Sequence, residues 1–482
     1  MSERTLPTNW TWTTIGEVAD TTSGGTPSRK RPDYYGGSIP WIKSGELRDG
    51  FINSVDEFIT EEALKNSSAK IFPEGTAVVA LYGATVGRTG ILGLDAATNQ
   101  AVCAIFPRQN AFTAKFITYW LKYQRKDLID LSVGGAQPNI SQGIIKSYPV
   151  PLPPLAEQHR IVAEIEKQLT RLDAGVAALQ RAQTRLQRYK AAVLKAACEG
   201  RLVAQDPTDE PAAVLLDRIL TERREQWNGK GKYKEPQPPD IDDLPELPDG
   251  WVWASAEQLS DEMRSITYGV IKLGKAVEDG VPTLRSSDVR HLRLELDHVK
   301  QISREIADNY QRTYLNGGEI LVTVRGTLGG VVVAPKSCKG FNISREVAMI
   351  ALIEPLIGPA IAYFIGSKPI QNWLLRRTRG IAYTGINIAT LKETPIPLPP
   401  LAEQQRIVAE VERRLSVVEG VEATLAANLK RAERLRQSIL KQAFEGRLVA
   451  QDPADEPASL LLERIRAAKA GGQKQQLGLP EV

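Results

Sequence analysis

The stretch PLPPLAEQHRIVAEIEKQL, which begins at Pro151, returns as PLPPLAEQQRIVAEVERRL from Pro397, and any fold of this chain must build the same thing twice. A second run, EGRLVAQDP, starts at Glu199 and again at Glu445, so both motifs are displaced by the same 246 residues (151 to 397, 199 to 445). Nothing has been gained or lost between them, although the middle has changed, with Gly175 against Val421 and Val176 against Glu422. A segment that keeps its length while its surface varies is a duplicated structural unit, and it behaves as a rod.

The pattern inside each copy is helical. Pro153 and Pro154 suit the turn before a helix, and no proline follows until Pro207. Apolar residues recur at alternating spacings of four and three: Ile165, Leu169, Leu172, Val176 and Leu179, continued by Leu186 and Val193 after a polar step at Gln183. The second copy runs Val411, Leu415, Val418, Leu425 and Leu429, interrupted by Glu422. This is heptad spacing, and it predicts two helices of roughly 40 residues, about 60 Å each, paired with one another or packed on a neighbouring domain.

A chain of 482 residues is too long for one ordinary domain. Two further segments resemble each other more faintly: LPTNWTWTTIGEV at Leu6 with LPDGWVWASAEQL at Leu247, SIPWIKSGEL at Ser38 with GVPTLRSSDV at Gly280, GTAVVALYGATVGRTG at Gly75 with GEILVTVRGTLGGVVV at Gly318, and FITYWL at Phe116 with IAYFIG at Ile361. Their β-branched runs bounded by Gly and Pro predict strands, and the aromatic runs predict short helices. The expected fold class is mixed α/β (α+β). Its order is a globular domain over 1–150, a rod over 151–200, a short docking helix with a Pro-rich charged linker over 201–246, a second domain over 247–396, a second rod over 397–446, and a docking helix with tail over 447–482. The amphipathic turns ending LLDRI and LLERI are expected to dock on a neighbour.

Charge constrains partners only loosely. The formal net charge is +4; residues 1–150 carry 15 Lys and Arg against 14 Asp and Glu, and residues 247–396 carry 18 against 15. A polyanion would be met by local patches, with help from partner subunits. Cys103, Cys198 and Cys338 show no CxxC spacing, which disfavours zinc and disulfides, and Phe444 stands where the first copy has Cys198, which points to a packed apolar position. With neither a leader pattern nor a long apolar run, the chain reads as cytosolic, with no membrane partner.

At these residues the chain resembles the specificity subunits of type I restriction-modification systems. The carriers are the paired PLPPLAEQ-RIVAE and EGRLVAQDP runs, the openings LPTNWTW and LPDGWVW, and the internal SGGTPS and SIPWIKSGEL. The resemblance covers nearly the whole chain. It implies two target-recognition domains separated by an antiparallel helical pair, each domain recognising one half of an asymmetric, bipartite double-stranded DNA target. It further implies two modification (methyltransferase) subunits and restriction subunits as partners. S-adenosylmethionine would then sit on the methyltransferase, ATP and Mg on the restriction partner, and no cofactor on this chain.

Base edges are read by Arg, Lys, amide and hydroxyl side chains, so Gly-containing loops rich in them are the DNA-binding candidates. In the first domain these are Ser23, Thr26, Ser28, Arg29, Lys30, Arg31, Lys43, Ser44, Tyr82, Arg88, Gln137 and Asn139. In the second they are Tyr268, Lys272, Lys275, Arg285, Ser286, Ser287, Arg325, Thr327, Ser344, Arg345, Tyr383 and Asn387, while the cluster Arg376, Arg377 and Arg379 is either a phosphate contact or a solvated helix end. At the rod starts, Leu155, Glu157, Gln158 and Arg160 with Leu401, Glu403, Gln404 and Arg406 either hold a partner subunit or fix the angle between domain and rod.

Catalytic motifs fail. GATVGRT at Gly83 is one residue short of a phosphate-binding loop and has Arg88 where its lysine belongs; SGGTPS lacks dinucleotide-turn spacing; no histidine has a partnered nucleophile nearby. Trp10, Trp12, Trp251 and Trp253, repeated at both domain openings, read as packing residues. A non-catalytic DNA-recognition subunit leads; a methyltransferase or nuclease and a coiled-coil scaffold without sequence preference are the alternatives.

Overall fold

The computed structural model describes residues 6–132, 139–228, 231–242, 244–378 and 385–470. Its contacts divide the chain into two compact units, Met1–Leu179 with Ala427–Val482, and Gln180–Ala426. The division passes through both rods, so each unit combines one globular domain, the first half of its own rod and the last half of the other. Within each unit, segments distant in sequence bury one another's apolar faces.

Each domain is closed by its own ends. In the first, Thr11–Thr14 pairs antiparallel with Pro149–Leu152, Trp12 opposite Pro151; in the second, Val252–Ser255 pairs with Pro395–Leu398, Trp253 opposite Pro397. Proline cannot donate to a ladder, and these two-stranded ribbons tolerate it because a partner is needed on one side only. Within the first domain one sheet runs, in spatial order, Ala19–Ser23, Val102–Pro107, Ala77–Ala80, Thr89–Leu92 and Phe51–Ile52, and a second holds Phe58–Ile59, Tyr35–Ile42, Ala96–Thr98 and Ile71–Phe72. The second domain repeats this with Thr267–Tyr268, Val347–Ile350, Ile320–Thr323 and Val331–Val333, and with Lys300–Ile302, Val281–Leu284 and Asn342–Ile343. The aromatic runs are helices, Ala114–Tyr123 and Gly358–Gly366.

Each rod is one helix of 44 residues, Leu155–Cys198 and Leu401–Phe444, about 66 Å at 1.5 Å per residue. The repeated EGR ends it. Gly200 (φ 63°) and Gly446 (φ 67°) adopt the left-handed conformation, while the N–H groups of Arg201 and Arg447 reach back to the carbonyls of Ala196 and Gln442 at 2.8 Å. That is a glycine-terminated helix end, and only glycine enters it without strain.

Within the first unit Asp173 pairs with Arg436, while Ile165 and Leu169 share a core with Leu440 and Phe444. Within the second, Lys190 pairs with Glu422 at 2.7 Å, while Val193 and Leu194 share a core with Ile407 and Val411. Ascending numbers meet descending ones, so the rod segments pair antiparallel in each unit. The interruption at Glu422 is therefore a cross-helix contact: its carboxylate receives Lys190 and, at 3.0 Å, the Gln187 amide. Cys198 and Phe444, equivalent in the repeat, are both buried, and the Phe444 ring lies against Phe116, Trp120 and Tyr123.

The short helices dock as amphipathicity requires. Ala212–Glu225 buries Leu215 and Ile219 in the second unit, and Ala458–Ala470 buries Leu462 and Ile465 in the first. Each begins on a backbone bond to a domain opening, Ala212 N–H to the Gly250 carbonyl at 2.8 Å and Ala458 N–H to that of Asn9 at 3.0 Å. The helix that follows the second rod thus completes the first domain. Among the described residues no helix is long and apolar enough to cross a membrane.

Candidate nucleic-acid interface

In both domains one backbone frame gathers four loops at one place. Strand Tyr35–Ile42 runs parallel to Ala96–Thr98 with Ile42 opposite Thr98, as Val281–Leu284 runs parallel to Asn342–Ile343 with Leu284 opposite Ile343. The Asn99 N–H then donates to the Ile42 carbonyl at 2.9 Å, and Ser344 N–H to that of Leu284 at 2.8 Å. Leu81 N–H donates to Ala101 and Val324 N–H to Glu346, both at 2.8 Å; Ile140 N–H donates to Leu81 and Ile386 N–H to Val324, both at 2.9 Å. The turn after the parallel strand is capped alike, Lys43 N–H on the Glu46 carboxylate at 2.6 Å and Arg285 N–H on that of Asp288 at 2.8 Å.

The Gly-rich loop closes this frame for a steric reason. Gly25 N–H donates to the Thr98 carbonyl and Val270 N–H to that of Ile343, both at 2.8 Å. A Cβ on Gly24 would lie 2.0 Å from the Thr98 oxygen, and one on Gly269 would lie 1.8 Å from the Ile343 oxygen. Backbone approaches backbone there, and no other residue fits.

These bonds make Tyr82 equivalent to Arg325, Lys43 to Arg285, and Gln100 to Arg345. Tyr82, Arg325, Gln100 and Arg345 are all exposed. Arg325 lies 5.8 Å from the Tyr268 ring centroid, and Thr26 donates its hydroxyl to the Gln100 amide oxygen. Asn139 bridges Tyr82 and Gly385 bridges Arg325. GATVGRT forms the tip of the hairpin between Ala77–Ala80 and Thr89–Leu92, rather than the strand-to-helix turn of a phosphate loop.

Other candidates are placed differently. Ser286 and Ser344 are buried: the Ser286 hydroxyl donates to Glu346 at 2.7 Å and the Ser344 oxygen accepts the Glu346 N–H at 3.3 Å. Both are corrected from DNA contacts to supports of the frame. Asn387 caps a helix by accepting the Thr390 N–H at 2.7 Å. Arg29 and Lys43 share Glu57, Arg29 also lying 4.2 Å from the Tyr35 ring centroid, while Arg31 pairs with Asp33 and Glu62. Arg285 and Ser287 bond to Asp288. Ser28, Lys30, Lys272, Lys275, Thr327 and Arg376 are exposed; Ser23, Ser44, Arg88, Tyr268 and Arg377 are half-buried, Arg377 stacking 4.0 Å over Trp373. Gln137, Arg379 and Tyr383 lie outside the described residues. Gln100 escaped the sequence reading because the insertions between the domains shift its partner Arg345 off the 246-residue register; TNQA set against ISRE was the available signal.

The rod starts also need correction. Glu157, Gln158, Glu403 and Gln404 are at most 2% exposed and cannot face a partner subunit. The indole N–H of Trp10 donates to Glu157 at 3.0 Å and that of Trp251 to Glu403 at 2.9 Å, while the Gln158 and Gln404 amides donate to the carbonyls of Pro153 and Pro399 at 3.1 and 2.8 Å. These residues fasten domain opening to rod. Burial pushes both carboxyls above their ordinary range, although the indole bond and the nearby Arg160 or Arg406 oppose it. Arg160 reaches Asp455 and Arg406 reaches Asp209, both at 2.6 Å, so each rod start also holds the chain preceding a docking helix. Leu155 is exposed and Leu401 half-buried.

Tandem domains of one fold, the first exposing Tyr82 and Gln100 and the second Arg325 and Arg345 at equivalent stations of one backbone frame, present the side-chain types that read nucleic-acid bases. The chain matches the family described as Type I restriction modification DNA specificity domain over residues 7–183 and 271–419, and it belongs to that family, whose members are non-catalytic DNA-recognition subunits. It is 30% identical over 389 residues to the EcoBI specificity subunit of Escherichia coli, covering 78% of this chain and 76% of that one. It is 25% identical over 497 residues to the EcoKI specificity subunit of Escherichia coli strain K12, covering 98% and 99%. A chain solved in a study of the assembly and conformational transition of a type I R-M system shares the fold, with a TM-score of 0.60 at 20% identity, covering 92% of this chain and 99% of that one.

Proposed function

We propose that this chain is the cytoplasmic DNA-recognition subunit of a type I restriction-modification complex, and that each domain reads one half of a split, asymmetric duplex target. The observation that carries this is the shared backbone frame with different side chains at its equivalent stations, Tyr82 against Arg325 and Gln100 against Arg345. One docking geometry applied twice with two sets of reading groups gives two different half-sites. The rods set the unread gap between them.

Two modification subunits are held by the duplicated surface, and restriction subunits join them. S-adenosylmethionine belongs to the modification partner, and ATP and Mg to the restriction partner. The test is co-expression with the neighbouring modification subunit and mapping of methylated adenines across the host genome. A split asymmetric motif is expected; absence of any motif from an assembled complex that binds S-adenosylmethionine would overturn the reading.

A further inference from the structure

The equivalence of Gln100 and Arg345 assigns more than a location. Both side chains leave the frame at the first exposed residue after the same backbone bond, Asn99 N–H to Ile42 in one domain and Ser344 N–H to Leu284 in the other. Arg345 makes no ion pair among the described residues. The Thr26 hydroxyl donates to the Gln100 amide oxygen, which leaves that oxygen a second lone pair and the NH2 group its two donors. In the two residues before it, the Thr98 hydroxyl and the Asn99 amide oxygen are buried without a partner among the described residues.

A planar amide offers one donor and one acceptor side by side, the complement of the N7 and N6 edge of adenine; a guanidinium offers paired donors, the complement of guanine O6 and N7. We infer that Gln100 and Arg345 are equivalent specificity-determining residues, Gln100 reading an adenine in the half-site of the first domain and Arg345 a guanine in that of the second. This rests on the DNA-recognition function proposed above.

The experiment uses the full chain assembled with its modification subunits, incubated with a duplex pool randomised through both half-sites, and sequences what is retained. Wild type should enrich both half-sites. Gln100→Ala, an exposed truncation, should lose its preference for adenine at one position of one half-site, by about tenfold or more, and keep every other position. Arg345→Ala should do the same at one guanine of the other half-site. Gln100→Arg should replace that adenine by guanine.

If Gln100→Ala and Arg345→Ala enrich the wild-type sequence at all positions, or lose enrichment at all positions together, the assignment is wrong while DNA recognition stands. If wild type itself enriches no sequence, the recognition function fails and the assignment with it. Should Gln100→Arg not assemble, the two alanine variants decide the matter alone.

Discussion

The indole N–H of Trp10 donates to a buried carboxylate oxygen of Glu157 across 147 residues of sequence, at 3.0 Å, and the Gln451 amide donates to the other oxygen at 2.8 Å. Three distant segments, the domain opening, the rod start and the stretch before the last docking helix, thus meet on one carboxylate in the first unit. Glu157→Ala leaves a buried indole donor unsatisfied and should cost about 1–3 kcal/mol. Differential scanning calorimetry should show a lower transition, and methylation mapping an unchanged motif. A changed motif would show that Glu157 takes part in reading DNA.

Glu403 differs from Glu157 in having one buried oxygen without a donor among the described residues. Burial raises its pKa above the ordinary 4.5, so the folded state holds the proton more tightly than the unfolded chain. Its contribution to stability is therefore greatest below pH 4.5 and declines as the pH rises through the raised value. Glu403→Gln keeps an acceptor for Trp251 and removes the charge. The difference in melting temperature, variant minus wild type, should grow from pH 4.5 towards neutrality; a difference that shrinks over that range contradicts the assignment.

Gly269→Ala places a methyl carbon 1.8 Å from the Ile343 carbonyl oxygen, a backbone atom that cannot yield without moving the turn that carries Arg345. The expected cost is about 1–3 kcal/mol. In a randomised-duplex selection the half-site of the second domain should degrade while that of the first persists. Equal loss in both halves would mean that the domains do not read independently.

Adding seven residues to each rod, after Leu179 and after Leu425, preserves the heptad seam and lengthens the helices by about 10 Å. The methylated motif should keep both half-sites and widen its gap by about three base pairs at 3.4 Å per step. An unchanged gap would remove the rods from the measurement of spacing.

Much of this architecture was written locally. Heptad spacing, the prolines at 153 and 154, and the glycine after each rod determine two helices of equal length, because helix periodicity and helix ends are properties of neighbouring residues. The 246-residue register by itself determined that the chain is a duplication. What sequence did not contain was which segments bury one another. Glu157 and Glu403 look like surface charges at a helix start, and only the packing of Trp10 and Trp251 against them places them inside. Ser286 and Ser344 look like reading groups, and only Glu346 makes them supports. The match of Gln100 to Arg345 crosses insertions that break the register, and it is visible only through the backbone bonds that both domains share. Tertiary structure alone also decided that the helix after the second rod completes the first domain, since its apolar face specifies that it must be covered and the geometry of the unit specifies by what.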